Sequence, residues 1–198
     1  MIINDSFPKF DLPIDFIADD SITGDILNYY SNFPCKIKAG VFVLCTEGMV
    51  RATINLLEIV IRKNDFIVVL PNSFIQIHEV SSDTRISFAG FSSDFMLSGN
   101  YVEILLDFMP MILNSPVISL QEDVAGLYRN VYLLLIRAYT LPHSLENKEI
   151  IRSVLAIFLQ GTKELYKRYG KKLDEPLRRE QELYRQFIQL LMVHYTKE

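Results

Sequence analysis

The chain has 198 residues, 49% hydrophobic and 22% charged, with a formal net charge of −4, so it can bury a sizeable core as a folded protein. From Lys163 onward nine Lys or Arg stand against six Asp or Glu, a net +3; the first 162 residues carry eleven against eighteen, a net −7. An acidic body with a mildly basic end excludes nucleic-acid binding by bulk electrostatics, and two cysteines exclude a disulfide framework.

The opening stretch, MIINDSFPKFDLPIDFIADD, is acidic and broken by Pro8 and Pro13, which is not the pattern of a secretory signal. The longest apolar runs, VYLLLI and VLAIFL, are too short to span a bilayer, so no membrane partner is expected. Cys35 and Cys45 fit a reducing cytoplasm, both as small buried apolar residues. The stretch ILNYYSNFPCKIKAG can supply a strand or two.

From Val41 to about residue 95 the chain reads as β structure. Short β-branched and aromatic runs are separated by breakers at TEG, IN, KND, PNS and SSD, roughly every 8–10 residues, the rhythm of an all-β sandwich or barrel. Asn64-Asp65 and Pro71-Asn72-Ser73 have tight-turn chemistry, with αL-tolerant Asn and φ-fixing Pro. Residues Phe66 to Leu70 are apolar throughout, as suits a strand covered on both faces.

After residue 95 the period changes to helical. SSDFMLSGNYVEILLDFMPMILNSP predicts one or two short helices, interrupted at Pro110 and closed by Pro116. SLQED then offers a capping box, with Ser119 as N-cap and Glu122 three residues on. Behind it Val124, Leu127, Tyr128, Val131, Leu134, Leu135 and Ala138 trace one helical face. TLPHS breaks this helix, Ser144 can cap the next, and the second helix runs to about Tyr169. The short loop predicts an antiparallel hairpin.

The second helix carries a surplus. Val154, Leu155, Ile157, Phe158 and Leu159 wrap over half its circumference, more than one stripe needs. A partner-facing apolar surface is the reading preferred over full burial within one chain, and a homodimer through the Ser144–Tyr169 helix is expected, with Ile151, Val154, Leu155, Phe158, Leu159 and Leu165 at its interface. KKLDEP reads as a linker. After it RREQELYRQFIQLLMVHYTKE repeats Leu183, Phe187, Leu190 and Leu191 at helical spacing, an amphipathic helix that needs a surface to cover it.

No site chemistry declares itself. His78, His143 and His194 lie in different elements without metal-ligand spacing, and no phosphate loop, nucleophile elbow or dinucleotide fingerprint is present. No metal, no cofactor and no enzymatic activity are expected. Arg51, Gln76 and His78, polar groups on otherwise apolar strands, are the candidate ligand contacts. Each can point into a barrel or out to water.

The run RKNDFIVVLPNSFIQIHEV resembles the cupin-type turn pattern R-P-G-D-x-x-x-x-x-P of the regulatory region of AraC-family transcription regulators: Arg62, Asp65 and Pro71 match, while Lys63 and Asn64 replace the usual Pro and Gly. ELYRQFIQLLMVHYTKE is similar to the first helix of that family's DNA-binding domain. The resemblance implies an α+β protein, with a cupin-like β-barrel of the double-stranded β-helix type over residues 1–95. It further implies a helical dimerisation region over 96–172, then over 173–198 a linker and the first helix of a helix-turn-helix domain that the chain does not contain. The function implied is the sensing of an unknown small-molecule effector, coupled through a dimer to that absent domain, through which alone DNA would be bound. The alternatives are a cupin-like metal-dependent isomerase or oxygenase, and a stand-alone small-molecule-binding barrel.

Overall fold

The breakers between residues 41 and 95 fall where the chain turns. The computed structural model describes residues 9–10, 12, 14–29, 31, 33–97, 101–140, 148–170, 179, 183, 186 and 187. Its strands are β1 (Lys9–Phe10), β2 (Phe16–Thr23), β3 (Cys35–Ile37), β4 (Gly40–Glu47), β5 (Met49–Ile54), β6 (Leu57–Arg62), β7 (Asp65–Val69), β8 (Ser73–Val80), β9 (Arg85–Phe91) and β10 (Val117–Ser119). Its helices are α1 (Gly24–Tyr29), α2 (Ser93–Leu97), α3 (Tyr101–Asn114), α4 (Glu122–Thr140) and α5 (Lys148–Tyr169).

Turn chemistry sets the strand ends. Gly48 (φ 77°) separates β4 from β5, and Asn72 (φ 67°) turns the chain into β8. Ile54 pairs with Leu57, leaving Asn55 and Leu56 as a two-residue hairpin turn at φ 48° and 70°. Both central residues of such a turn must be left-handed. Asn55 tolerates this and is held by its side chain, which accepts from the Phe74 N–H (2.8 Å) and donates to Ser73 Oγ (3.0 Å). Leu56 has no such help and is exposed.

Among the described residues the strands form two five-stranded sheets, in the orders β1-β3-β8-β5-β6 and β10-β7-β4-β9-β2, and no closed barrel. The expected α+β class is met, while among the described residues no ladder joins one sheet to the other to close a barrel. Pairing is antiparallel throughout apart from β1 with β3. Strand β2 is not anticipated by the sequence; its polar Asp19-Asp20-Ser21 lies at a bulge against β9.

Alternation along the second sheet feeds two separate cores. Cys45, Ile67, Val69 and Ile86 meet Val50, Ala52, Ile54 and Ile61 of the first sheet. The alternate residues Phe16, Phe42, Leu44, Phe66, Val68 and Phe91 meet the helices. The order is therefore sheet, sheet, helices. Every residue of β7 is buried, as its unbroken apolar run predicts.

In the helical layer two readings are revised. Pro110 does not interrupt α3, which continues to Asn114. A proline inside a helix costs about 3 kcal/mol, here offset by Phe108, Met109 and Ile112, all buried in the shared core around it. The buried stripe of α4 is Ala125, Tyr128, Tyr132 and Leu135, while Leu127 and Leu134 stay exposed; the stripe is rotated because the large Tyr132 fills the core. Tyr128 bonds Thr162 and Tyr132 stacks edge-on to Phe158 (5.6 Å), so α4 and α5 run antiparallel, as expected. A Cβ at Gly161 would lie 2.7 Å from the Tyr128 hydroxyl, which explains a glycine inside α5. The predicted loop residues Leu141 to Ser144, His143 included, lie outside the described residues.

Cys35 and Cys45 are free. Cys45 is buried as expected, while Cys35 is only half-buried. Burial, then the nearby Asp65 charge, pushes the Cys45 thiol up to about 11.

Candidate ligand site and helical face

The turn that carries the resemblance, Arg62 to Asp65, is tied to the start of α4. Asn64 adopts φ 69°, so it fills the position of the pattern's glycine with the residue type that tolerates that conformation best after glycine. Buried Asp65 accepts the Arg62 N–H (2.7 Å) with one oxygen and the Ser119 hydroxyl (2.6 Å) with the other. The Asn64 amide donates to Glu122 Oε2 (2.6 Å), and the Leu120 N–H donates to the Asn64 carbonyl (3.0 Å). This overturns the capping box. Ser119 belongs to β10, paired with Asp65, and spends its hydroxyl there; α4 begins at Glu122, with the Gln121 carbonyl taking the Ala125 N–H.

The candidate ligand residues share one surface. Arg51, Gln76 and His78 lie on the side of the first sheet that faces away from the second, opposite the buried Val50, Ala52 and Ile54. Arg51 bridges Glu58 and Glu79, each at 3.3 Å, which holds its guanidinium in the charged form. His78 Nε2 and Thr53 Oγ1 are 2.7 Å apart, and Gln76 pairs with Thr53 across the ladder. The structure brings all three together on an open face, and the space between the sheets is filled by aliphatic side chains.

The candidate interface residues are distributed differently. Ile151, Leu155, Phe158, Leu159 and Leu165 are buried in the chain's own core, and Val154 is half-buried against it. Phe158 touches Phe42 (4.8 Å), Phe66 (6.0 Å), Tyr128 (5.7 Å) and Tyr132. The surplus noted in α5 is thus mostly absorbed internally. What remains outward is Ile157, 68% exposed, together with Leu127 (61%) and Leu134 (53%) of α4. Tyr166 is buried and donates to the Pro116 carbonyl (3.0 Å), fastening α5 beside β10. Of the terminal stretch only Arg179, Leu183, Gln186 and Phe187 are described; they are helical and exposed, and Leu190, Leu191 and His194 lie outside the described residues.

A polar cleft of about 350 Å³ opens where α4 crosses the second sheet, lined by Asp20, Thr46, Glu47, Lys63, Ser87, Glu122, Arg129 and Leu133. The sheet supplies Asp20, Thr46 and Ser87 as polar continuations of the apolar helix-facing rows Phe16-Ala18, Phe42-Leu44 and Phe91-Ala89. The sequence names Lys63 and Glu122 only as turn and cap residues and Thr46-Glu47 only as part of a breaker; none of the lining residues is read there as a site. The signal was present at Ser87, which alternation in RISFAGF places on the helix-facing side with Ala89 and Phe91. Among the described residues no group of three or more His, Cys, Asp or Glu comes together to hold a metal ion, and no helix is long and apolar enough to cross a membrane.

No protein-family model matches the chain, and no curated protein does. Among solved structures, ToxT from Vibrio cholerae is similar at 13% identity and a TM-score of 0.43, over 85% of this chain and 63% of that one. The AraC-like transcriptional activator CuxR is similar at 10% identity and a TM-score of 0.44, over 78% of this chain and 51% of that one. The Clostridium difficile EutQ protein matches 42% of this chain and 67% of its own at 13% identity, with a TM-score of 0.29. The structural neighbours thus include an AraC-like regulator, and this chain spans about three fifths of the length of ToxT.

Proposed function

We propose that this chain is the ligand-sensing and dimerisation region of an AraC-like transcription regulator, with a cupin-like β unit over residues 1–95, a helical region over 96–172, and DNA contacts made by a domain outside it. The observation that carries this reading is the shared core: Phe158 of α5 packs directly on Phe42 of β4 and Phe66 of β7. Packed interiors transmit displacement because they have little free volume. A small molecule that favours one setting of the sheet therefore favours one setting of α5, in proportion to its differential affinity for the two. The Arg62, Asp65 and Pro71 pattern supports the same assignment from sequence, and the link from Asn64 to Glu122 gives the turn a second hold on the helices. An effector that meets Arg51, Gln76 and His78 docks on the open face of the first sheet.

In this reading a homodimer forms through α5, and its contact falls on the outward Ile157 with Leu127 and Leu134 alongside, the six residues expected at the interface forming the packed base beneath. Light scattering coupled to size exclusion tests it. The wild-type chain is expected to run as a dimer and Ile157→Glu as a folded monomer. A wild-type monomer at high concentration would overturn the dimerisation assignment.

A further inference from the structure

We propose that the cleft between α4 and the second sheet binds a small oxyanion, a carboxylate or phosphate group, with Arg129 as its main contact. The site is separate from Arg51, Gln76 and His78. Its volume of about 350 Å³ falls within the roughly 300–1,000 Å³ typical of small-molecule sites.

The charges in the cleft are not equally available. Glu122 is engaged by the Asn64 amide (2.6 Å) and by Lys63 (4.0 Å), and these, with a weaker longer-range pull from Arg129, hold its carboxyl below the usual range. Glu47 is paired with Arg85 (3.2 Å). Arg129 has no ion pair among the described residues, and its Nε is buried without a hydrogen-bond partner. A buried donor left unmade is destabilising, and a guanidinium presents its donors in a fork that suits carboxylate and phosphate. The Ser87 hydroxyl, on a buried residue of β9, supplies a neutral donor in the same cleft, whereas Lys63, also at its edge, is paired with Glu122. Asp20 also lines the cleft, but it is exposed, so its repulsion of an anion is screened by solvent.

The helix also keeps the space clear. Glu122, Arg129 and Leu133 share a face of α4, and Gly126 falls on the same face by spacing. A Cβ built at Gly126 meets nothing within 4 Å. Glycine in a helix interior is unfavourable relative to alanine, and no packing constraint accounts for it here. An oxyanion held between Arg129 of α4 and Ser87 of β9 would bridge the two layers; its regulatory consequence rests on the sensing role proposed above, whereas its occupancy does not.

The experiment follows the Arg129 Nε–Hε signal by NMR in the full 198-residue chain, titrated with sodium phosphate or sodium succinate against sodium chloride at equal ionic strength. A saturable shift with phosphate, succinate or both, absent with chloride, is the expected result; which probe acts sorts phosphoryl from carboxyl ligands. Arg129→Gln is expected to weaken binding about tenfold or more, read on backbone amides around Ser87. Gly126→Leu, a better helix former at a position with room for its Cβ, is expected to keep the fold and abolish the response. No saturable shift with either probe, or a response that survives in both variants, overturns the site. Saturable binding in a protein that light scattering shows to be monomeric keeps the site and overturns the dimeric sensor instead.

Discussion

The two faces of the second sheet are filled by different kinds of side chain. Toward the first sheet it offers mainly small and branched residues, Cys45, Ile67, Val69 and Ile86 among them, with Phe88 the one ring of β9 on that side. Toward the helices it offers Phe16, Phe42, Phe66 and Phe91; Phe42 and Phe66 interlock with Phe158 and Tyr128, while Phe16 and Phe91 stack together and Phe91 on Phe95 of α2. Packed sheets lie about 10 Å apart, a gap that β-branched residues fill from both sides. Helices rest on a sheet at fewer points, and large rings fill the spaces between them with edge-on contacts. One core thus joins like to like, while the other joins unlike elements and depends on a few large residues.

That contrast sets the order of expected effects. Phe158→Ala should destabilise most, by about 3–5 kcal/mol, because one ring serves β4, β7 and α4 together; urea denaturation measures it. A loss below 1 kcal/mol would show that the helices do not share the sheet's core. Asp65→Ala should cost about 2 kcal/mol by stranding the Arg62 N–H and the Ser119 hydroxyl, and amide exchange should rise first along β10, since Ser119 is held there by Asp65. Leu56→Gly acts outside both cores. It should stabilise by about 1 kcal/mol, since left-handed geometry costs a branched residue that much, seen as a rise in denaturation midpoint without change of slope. A destabilised Leu56→Gly would mean that the exposed leucine makes a contact in solution worth more than its strain.

The legibility of the two regions differs for the same physical reason. Strand limits between residues 41 and 91 were readable because turns need particular residues, Asn64, Pro71 and Asn72 above all, and the two-sided burial of β7 was readable because a period of two with no polar member admits no other placement. The helices were found as elements, but their facing was not. In α4 apolar residues occur on more than one side, so Leu127 and Leu134 were read as core when Ala125 and Tyr132 fill it. In α5 the rings buried against the sheet cannot be told from rings awaiting a partner until the sheet is in place. Ser119 was read by its local sequence as a cap, whereas a long-range partner, Asp65, claims it. Arg129 gave no local signal at all, since a charge on a helix is ordinarily solvated.

Strand β7 has a consequence for variation. Neighbouring residues such as Phe66 and Ile67 answer to opposite compartments, so no site along it offers a solvent-facing refuge where polar replacements go unnoticed. Inserting or deleting a single residue there would exchange ring for branched aliphatic on both sides at once. A saturation scan should therefore find a short segment of uniform intolerance, with aromatics accepted only at alternate positions.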